Sequence, residues 1–367
     1  MMASGLLNRS SNDRPSGEGV YILIFCARRV PCFFFDKAER NVVNHSRCTG
    51  VAGIIEGFRE IKESDRDERR GVAKLALQPK ETVIGFVGTG VMGKSMASHF
   101  LKAGYQVVVY TRTKAKAEDL LEQGAVWKEH VSQVAQASDV IITMVGYPSD
   151  VEEVYLGAEG IVTHAKPGSF LIDMTTSKPS LAVKIYEEAK KRDLHSLDAP
   201  VSGGDIGARE ARLTIMVGGD QEAFDAVEPL LKVMGTNVVL QGGPGAGQHT
   251  KMCNQIAIAT NMIGVCEAIS YAKKAGLNPT RVLESIAAGA AGSWSLSNLA
   301  PRMIAGNFEP GFYIKHFIKD MGIALEAAKE MGLLTPGLEL SKSLYDELAA
   351  NGMEDNGTQA LIKWFEK

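Results

Sequence analysis

The sequence predicts an α/β fold with a mostly parallel, doubly wound sheet, followed by an all-α C-terminal domain. Short apolar runs alternate with helical stretches from residue 82 to residue 241. Such alternation is typical of a parallel sheet covered by helices on both faces. No strand pattern remains after Gly245. We therefore expect an N-terminal extension over residues 1–80, an α/β domain over 81–243 and a helical domain over 244–367.

Short apolar runs predict the strands, and helical spacing of apolar residues predicts the helices between them. The predicted strands are Thr82–Val87, Gln106–Tyr110, Asp139–Val145, Ser169–Met174, Leu197–Val201, Arg212–Gly218 and Asn237–Gln241. The helices predicted between them include Met92–Ala103, Lys114–Gln123, Lys178–Lys191 and Gln221–Met234.

A long helix opens the C-terminal domain, over about residues 248–275. It is apolar nearly all round, as in a helix buried inside a protein. Lys251, Asn254 and Gln255 lie at positions i, i+3 and i+4, so all three project from one face. On this stretch alone, the alternative is a core helix with a solvated first turn. Further helices are predicted over about 279–288, 314–331, 336–350 and 358–366.

Residues 1–80 differ from the rest of the chain. An apolar run over Val20–Ala27 is followed by a densely charged stretch from Arg59 to Arg70. Asp13 and Glu18 precede the apolar run, whereas a signal peptide has a basic start. The ten acidic residues are atypical of a mitochondrial presequence. We predict a poorly ordered extension, with a targeting segment as the alternative.

Composition limits the classes of function. The 45% hydrophobic and 23% charged residues are ordinary values for a globular protein. After residue 80 the chain carries 26 Lys+Arg against 33 Asp+Glu, a net charge of −7 that disfavours nucleic acid as a partner. No apolar run reaches the roughly 18 residues of a membrane span. Five cysteines without CxxC spacing and seven scattered histidines predict neither a disulfide framework nor a metal site. We expect an intracellular soluble protein of the cytoplasm or the mitochondrial matrix.

A glycine-rich motif follows the first predicted strand and opens the first helix. It runs Gly88, Thr89, Gly90, Val91, Met92, Gly93. In this context a G-x-G-x-x-G motif predicts a Rossmann dinucleotide site, because its backbone N–H groups approach a pyrophosphate at the helix N-terminus.

The end of the second strand indicates which dinucleotide binds. An acidic residue there would bond the ribose 2′-hydroxyl of NAD, but this chain has Thr111, Arg112 and Thr113. Arg112 can pair with a 2′-phosphate, Thr113 can donate to it, and this loop contains no carboxylate to repel it. The sequence therefore predicts NADP(H) as the preferred cofactor and NAD(H) as a second cofactor. The alternative is that Arg112 is only a solvated loop charge.

A second glycine-containing segment ends a later strand, where open α/β sheets place their ligands. Ser202, Gly203 and Gly204 offer a hydroxyl and close backbone N–H groups, which suit a carboxylate. The alternative is a tight turn without a ligand.

Four motifs in order carry a family resemblance. They are Gly85–Gly93, Asp198–Gly204, Gly247–Asn254 and, after Phe312, the pair Lys319-Asp320. From Val83 to its end the chain resembles the β-hydroxyacid dehydrogenases, above all the 3-hydroxyisobutyrate dehydrogenase-like and tartronate semialdehyde reductase members. The resemblance implies hydride transfer between NADP(H) and a short 3-hydroxy acid or semialdehyde. It also implies a homo-oligomer formed through the helical domain.

The resemblance also implies roles for particular residues. Lys251 would be the catalytic general acid or base, with Ser202, Gly203, Gly204 and Asn254 holding the substrate. The cofactor would contact the glycine motif, with Thr176 and Lys319 near the nicotinamide and Met144 and Val145 along its wall.

Two departures from the patterns of related families narrow the family, although two alternatives remain open. Asn254-Gln255 stands where 6-phosphogluconate dehydrogenases have a His-Asn pair, and Lys251 is retained where imine-reducing and non-enzymatic relatives lack it. The loop Thr111–Thr113 resembles that of NADPH-using glyoxylate and succinic semialdehyde reductases. The alternatives are a non-catalytic NADP(H)-binding or sensing protein and a phosphosugar-acid dehydrogenase.

The direction of the reaction depends on the charge of Lys251. An ordinary lysine, with a pKa of ~10.4, is charged at neutral pH and can donate the proton that reduction requires. Oxidation requires a neutral lysine, so burial or a nearby positive charge such as Lys319 would have to lower its pKa.

Overall fold

The computed structural model describes residues 77–366 and, within the preceding segment, three short strands. These are Ile22–Leu23 (β1), Cys32–Phe35 (β2) and Val42–His45 (β3), which pair antiparallel in that order. The sequence analysis did not predict them, although runs of Val and Phe favour strands. The prediction of a poorly ordered extension otherwise lies outside the described residues and stays a prediction.

One nine-stranded sheet forms the α/β domain, and it confirms the predicted fold class. Its strands are Val83–Val87 (β4), Gln106–Tyr110 (β5), Val126–Trp127 (β6), Val140–Thr143 (β7), Phe170–Asp173 (β8), His195–Asp198 (β9), Val201–Ser202 (β10), Leu213–Gly218 (β11) and Gly235–Gly242 (β12). Six of these strands run parallel in the order β9-β8-β7-β4-β5-β6. Strand β11 pairs antiparallel with β9 and β10 and parallel with β12.

One strand prediction needs correction, and one strand was missed. The run predicted over Leu197–Val201 is broken, since β9 ends at Asp198 and β10 pairs with β11 instead. Pro200 lies at the break, and a proline has no N–H with which to continue a ladder. The two-residue strand β6 was not predicted, because two residues show no period.

Helices cover both faces of this sheet. Its central strands are almost wholly buried, with Ile84, Phe86, Ile141 and Ile142 fully so, whereas most of β12 is exposed and β6 has no buried residue. The helices are Val91–Lys102 (α1), Glu118–Glu122 (α2), Val131–Ala137 (α3), Pro148–Leu156 (α4), Ile161–His164 (α5), Pro179–Lys190 (α6), Gly204–Arg209 (α7) and Gln221–Leu231 (α8).

The C-terminal part is helical, as predicted, around a separate apolar core. Two five-residue helices, Trp294–Asn298 and Ala300–Ile304, were not predicted, because five residues are too few to show a period. The helices are Ala246–Lys274 (α9), Pro279–Ile286 (α10), Trp294–Asn298 (α11), Ala300–Ile304 (α12), Ile314–Glu330 (α13), Pro336–Ala350 (α14) and Ile362–Phe365 (α15).

Helix α9 departs from its prediction in one respect. The sequence predicted a helix buried all round, but Ala257, Thr260, Gly264, Glu267 and Tyr271 are exposed. These residues recur every three or four positions, so they form one uncovered face of the helix. The rest of α9 packs into the helical core.

Candidate active site

A single cavity of about 1510 Å³ runs between the carboxyl ends of the parallel strands and the helical domain. Thr89 is the one predicted site residue that does not line it; its side chain is buried, and its Oγ1 donates to the carbonyl of Lys116 at 3.5 Å. The structure thus brings nearly all predicted site residues together. Those lining the cavity are Gly88, Gly90, Val91, Met92, Gly93, Arg112, Thr113, Met144, Val145, Thr176, Ser202, Gly203, Gly204, Lys251, Asn254 and Lys319.

The three glycines of the G-x-G-x-x-G motif have different neighbours. A Cβ on Gly88, whose φ is +97°, would lie 2.2 Å from the carbonyl oxygen of Met144. One on Gly93 would lie 1.9 Å from the carbonyl oxygen of Gly88. A Cβ on Gly90 would meet no atom of the described chain within 4 Å. The fold itself therefore requires Gly88 and Gly93, whereas Gly90 leaves open space at the N-terminus of α1, where a pyrophosphate fits.

The loop after β5 presents positive charge to the same cavity. Arg112 is highly exposed, with 81% of its side chain accessible, and its Nη1 lies 3.4 Å from Asp150 Oδ1. The loop contains no carboxylate, as the sequence showed, but α4 supplies one from 38 residues away. Lys116 also lines the cavity and has no ion-pair partner within the described part of the chain. The sequence analysis missed Lys116, whose only signal was its place three residues after Thr113.

Strands β7 and β8 are followed by segments that are tied to each other. The N–H of Val145 donates to Thr175 Oγ1 at 3.0 Å, and the N–H of Thr175 donates to Asp173 Oδ1 at 3.0 Å. Thr143 Oγ1 also donates to Asp173 Oδ1, at 2.8 Å. Burial raises the pKa of Asp173 to about 6, although these hydrogen bonds oppose the rise. Asp173 and Thr175 therefore brace this cavity wall, a role the sequence analysis did not assign.

The N-terminus of α9 is fastened to the end of β9. Asp198 Oδ1 accepts from the N–H of Gly245 at 2.7 Å, and its Oδ2 accepts from the N–H of Gln248 at 2.7 Å. A carboxylate in this position also interacts favourably with the helix dipole. A Cβ on Gly247 would lie 2.4 Å from the carbonyl oxygen of Met216, so only glycine allows this approach. Lys251 follows one turn later and is thereby fixed relative to the sheet.

A buried glutamine makes a second tie at this point. The side chain of Gln248 is fully buried. Its Oε1 accepts from the N–H of Ser177 at 2.9 Å, and its Nε2 donates to the carbonyl of Thr175 at 2.7 Å. The segment after β8 and the first turn of α9 are therefore held as one unit.

Lys251 is a buried amine in the cavity wall, only 7% exposed. Its Nζ donates to the carbonyl of Val201 at 2.8 Å, which places it beside Ser202. Burial lowers the pKa of Lys251 to about 8; the carboxylate of Asp320 opposes this decrease and the ammonium of Lys319 adds to it. Both charge states are thus accessible near neutral pH, which meets the condition that oxidation requires.

The segment Ser202–Gly204 lies next to the lysine. Gly203 and Gly204 have φ values of +129° and +62°, a conformation that side chains rarely adopt. A Cβ on Gly204 would lie 3.3 Å from the carbonyl oxygen of Gly311 in the helical domain. The two glycines therefore turn the chain sharply where the sheet and the helical domain meet.

A chain of polar contacts surrounds Lys251 on the helical side. Asn254 Nδ2 donates to Gln255 Oε1 at 2.7 Å, and Gln255 Nε2 donates to Asp320 Oδ2 at 2.6 Å. Lys319 Nζ lies 3.0 Å from Asp320 Oδ1 and donates to the carbonyl of Thr176 at 2.8 Å. Thr176 therefore contacts Lys319 through its backbone carbonyl. The contributions of Gln255 and Asp320 were not predicted from the sequence.

Neither a metal centre nor a membrane span is found among the described residues. Nowhere in residues 77–366 do three or more His, Cys, Asp or Glu side chains converge as metal ligands would. Within the same residues, every helix is too short or too polar to cross a bilayer.

Two family profiles match the chain. The profile of the NAD binding domain of 6-phosphogluconate dehydrogenase matches residues 83–243. That of the NAD-binding region of NADP-dependent 3-hydroxyisobutyrate dehydrogenase matches residues 245–365.

Individual relatives agree with these profiles. The Bacillus subtilis protein called uncharacterized oxidoreductase YkwC is 66% identical over 77% of this chain and 99% of its own length. The 2-hydroxy-3-oxopropionate reductase of Escherichia coli is 40% identical over 77% of this chain and 97% of its own. The structure of Mycobacterium tuberculosis 3-hydroxyisobutyrate dehydrogenase with L-serine has a TM-score of 0.73 at 28% identity, covering 78% of this chain and all of that one.

These matches extend over both the α/β and the helical domain, and so over the whole cavity. They establish a nicotinamide dinucleotide as the cofactor and a small molecule as the substrate. The resemblance read from the four sequence motifs is confirmed. The chain belongs to the β-hydroxyacid dehydrogenase family and is an NAD(P)-dependent, 3-hydroxyisobutyrate dehydrogenase-like oxidoreductase.

Proposed function

We propose that this protein interconverts a short semialdehyde acid and its 3-hydroxy acid, with NADP(H) as the preferred cofactor and Lys251 as general acid or base. The observation that carries the proposal is the position of Lys251. Its buried amine lies beside Ser202, in the same cavity as the glycine motif. A proton donor and a dinucleotide site thereby face one substrate-sized space.

The residues around the cavity suit a nicotinamide dinucleotide. The open space at Gly90 receives the pyrophosphate, and Met144, Val145, Thr176 and Lys319 line the path to the nicotinamide ring. When bound, the cofactor supplies or accepts the hydride at its C4 atom. Arg112, Thr113 and Lys116 together favour the additional 2′-phosphate of NADP(H), because two cations and a hydroxyl surround the position it would occupy.

Lys251 donates or removes the proton that is transferred together with the hydride. A carbonyl that receives a hydride becomes an alkoxide, which the ammonium form of Lys251 stabilises and protonates. In the opposite direction the neutral amine removes the proton from the hydroxyl group. A pKa of about 8 makes both forms available near neutrality.

The substrate is proposed to lie between Ser202–Gly204 and Asn254. The hydroxyl and backbone N–H groups of Ser202–Gly204 suit its carboxylate, and the Asn254 amide lies one turn from Lys251 on the same helix face. Two relatives support this substrate class: one is named a 2-hydroxy-3-oxopropionate reductase and another was solved with L-serine. Both compounds are three-carbon acids with a hydroxyl group.

A turnover assay tests this function. Purified protein is mixed with NADPH and, in turn, with glyoxylate, succinic semialdehyde and 2-hydroxy-3-oxopropionate, and loss of NADPH absorbance is followed. Turnover of 2-hydroxy-3-oxopropionate, whose product is a 3-hydroxy acid, is expected, with a higher kcat/KM for NADPH than for NADH. Turnover of glyoxylate or succinic semialdehyde alone, whose products are 2- and 4-hydroxy acids, would contradict the proposed substrate class. Tight NADPH binding without turnover of any aldehyde or hydroxy acid would favour the sensor alternative. Turnover restricted to phosphorylated sugar acids, assayed in the same way, would favour the alternative of a phosphosugar-acid dehydrogenase.

We also propose that a second copy of the chain covers the exposed face of α9. The face carries small side chains at Ala257, Thr260 and Gly264, which allow two helices to approach closely, and it ends at Tyr271, which is 75% exposed. Light scattering of the wild type and of Gly264→Gln with Tyr271→Glu tests this. The wild type is expected to be a dimer or larger and the variant to dissociate; a monomeric wild type would refute the proposal.

A further inference from the structure

One buried glutamine connects the groups that flank Lys251. Gln255 is fully buried on α9, one turn after the lysine. Its Oε1 accepts from Asn254 Nδ2 and its Nε2 donates to Asp320 Oδ2, at 2.7 and 2.6 Å. An amide has an acceptor at one end and donors at the other, so these two bonds fix its orientation.

Asp320 depends on this glutamine. It is 2% exposed, on α13, and the bond from Gln255 is the one hydrogen bond it receives within the described part of the chain. Its Oδ1 has only the ion pair with Lys319, at 3.0 Å. A buried carboxylate needs directed hydrogen bonds as well as a counter-charge to be held in place. The position of Asp320 therefore relies on the Gln255 amide.

Lys319 carries the contact to the opposite wall of the cavity. Its Nζ donates to the carbonyl groups of Thr176 at 2.8 Å and Gly146 at 3.2 Å, in the segments after β8 and β7. The same ammonium pairs with Asp320. A displacement of the Asp320 carboxylate would therefore be transmitted to the wall that lines the nicotinamide path.

We propose that Gln255 is a positioning residue of this active site, whose single amide holds Asn254 against the substrate and Asp320 against Lys319. The inference rests on the proposed function of Lys251 and Asn254. Gln255 lines the cavity, but its side chain is fully buried and its amide is engaged by Asn254 and Asp320. In this proposal it acts through these two partners. Lys251, Lys319 and His316 are the titratable groups that interact with Asp320.

Glutamate at this position provides a chemical test. In the variant Gln255→Glu, an ionised side chain could accept from Asn254 but could not donate to Asp320, and two adjacent carboxylates repel each other. One of two such carboxylates takes up a proton more readily than an isolated one. The protonated form has an acceptor and an O–H donor, so it restores both bonds of the amide. Activity of Gln255→Glu, relative to wild type at the same pH, should therefore rise as pH falls.

The experiment compares wild type with Gln255→Leu, Gln255→Met and Gln255→Glu between pH 5.5 and 8.5. Steady-state reduction of an aldehyde that the wild type turns over gives kcat and KM for that aldehyde. NADPH fluorescence gives the Kd for NADPH. Misplacement of reacting groups by about 1 Å costs on the order of 100-fold. Gln255→Leu and Gln255→Met are expected to lose ~10–100-fold in kcat/KM at every pH, with the Kd for NADPH within about threefold of wild type.

Gln255→Glu is expected to show a similar loss at pH 8.5 and to recover to within about threefold of wild type at pH 5.5. Gln221→Glu, an exposed position at the start of α8, makes the same change of charge and should follow wild type throughout.

Separate outcomes overturn the inference and the proposed function. If Gln255→Met keeps more than a third of wild-type kcat/KM, or Gln255→Glu does not recover at low pH, Gln255 has no positioning role while the enzyme remains active. If wild type turns over none of the aldehydes or hydroxy acids, the proposed function fails first. Should Gln255→Leu not fold, the Met and Glu variants, which are closer to glutamine in shape, decide the question.

Discussion

The two ends of the cavity each carry a positively charged side chain, but these side chains differ in their exposure to solvent. At the phosphate end, defined by Gly88–Gly93 and Arg112, the guanidinium is 81% exposed and lies 3.4 Å from a carboxylate. At the lysine end, defined by Lys251 and its contacts, the amine is 7% exposed and has a pKa of about 8. Water and salt screen the first charge, whereas the second lies in a low-dielectric environment. The difference suits an end that selects a ligand and an end that exchanges a proton.

The largest expected effect comes from Lys251→Met, which keeps an unbranched side chain one atom shorter than lysine and removes the amine. General acid–base groups contribute ~10²–10⁴-fold, so kcat should decrease by that factor. Cofactor binding, followed by NADPH fluorescence, should remain close to wild type because the phosphate end is unchanged. Retention of a tenth of the wild-type kcat would exclude Lys251 from proton transfer.

The same variant provides its own folding control. A lysine whose pKa is lowered by burial destabilises the folded protein below about pH 10.5, and fully so below about pH 8, because its ammonium form is less favourable in the folded state. Between these two pH values the unfolded chain binds more protons, so stability increases with pH. Lys251→Met should therefore raise the free energy of unfolding at pH 7 by about 1–2 kcal/mol, after allowing for the lost hydrogen bond to Val201. The gain, measured by urea unfolding, should disappear as pH approaches 10.5.

The pH dependence of turnover should reveal the lysine end as well. Reduction requires the ammonium form, so kcat/KM for reduction should be level below about pH 8 and decrease about tenfold per pH unit above it. Oxidation requires the amine and should increase over the same range. Profiles of both directions with one substrate pair check this; a reduction profile that stays level to pH 10 would contradict the lowered pKa.

The phosphate end should show a smaller effect. Arg112→Ala would remove the proposed charge-assisted contact with the 2′-phosphate, and such a contact contributes about 1.5–3 kcal/mol in general. Because Arg112 is exposed, we expect the lower limit, an increase of about tenfold in KM for NADPH, and almost no change for NADH. The effect should weaken as salt is added. Equal changes for both cofactors would show that Arg112 is only a solvated loop charge.

The smallest expected effect comes from Asp150→Asn. If Arg112 binds the 2′-phosphate as proposed, the Asp150 carboxylate competes for it, and exposed ion pairs are worth only about 0.2–1 kcal/mol. Its removal should lower KM for NADPH by about two- to threefold and leave KM for NADH unchanged. Asp119→Asn, which removes an exposed partner of Lys94, serves as the control for loss of one charge. A higher KM for NADPH in Asp150→Asn would mean that Asp150 orients Arg112.

The sequence predicted the residues of this cavity better than their partners. The glycine motif, the Ser202–Gly204 turn and the spacing of Lys251 and Asn254 are local patterns, and all of these segments meet at the cavity. The partner of Gln255 lies 65 residues away on α13, and the carboxylate beside Arg112 lies 38 residues away on α4. Contacts between distant segments depend on packing, which a local period does not encode. The pKa of Lys251 was likewise open, because burial is a property of the fold.

The attachment of α9 has a consequence for any attempt to exchange the domains. Lys251 belongs to the helical domain by its place in the sequence. Contacts of Asp198, Gln248 and Gly247 nevertheless hold the first turn of its helix, α9, against the sheet. A chimaera joined at residue 244 would therefore pair the proposed catalytic lysine of one parent with the sheet residues of the other. A crossover after residue 255 would keep the lysine with its own sheet. The segment that has to stay with its own sheet in such a chimaera therefore ends inside helix α9.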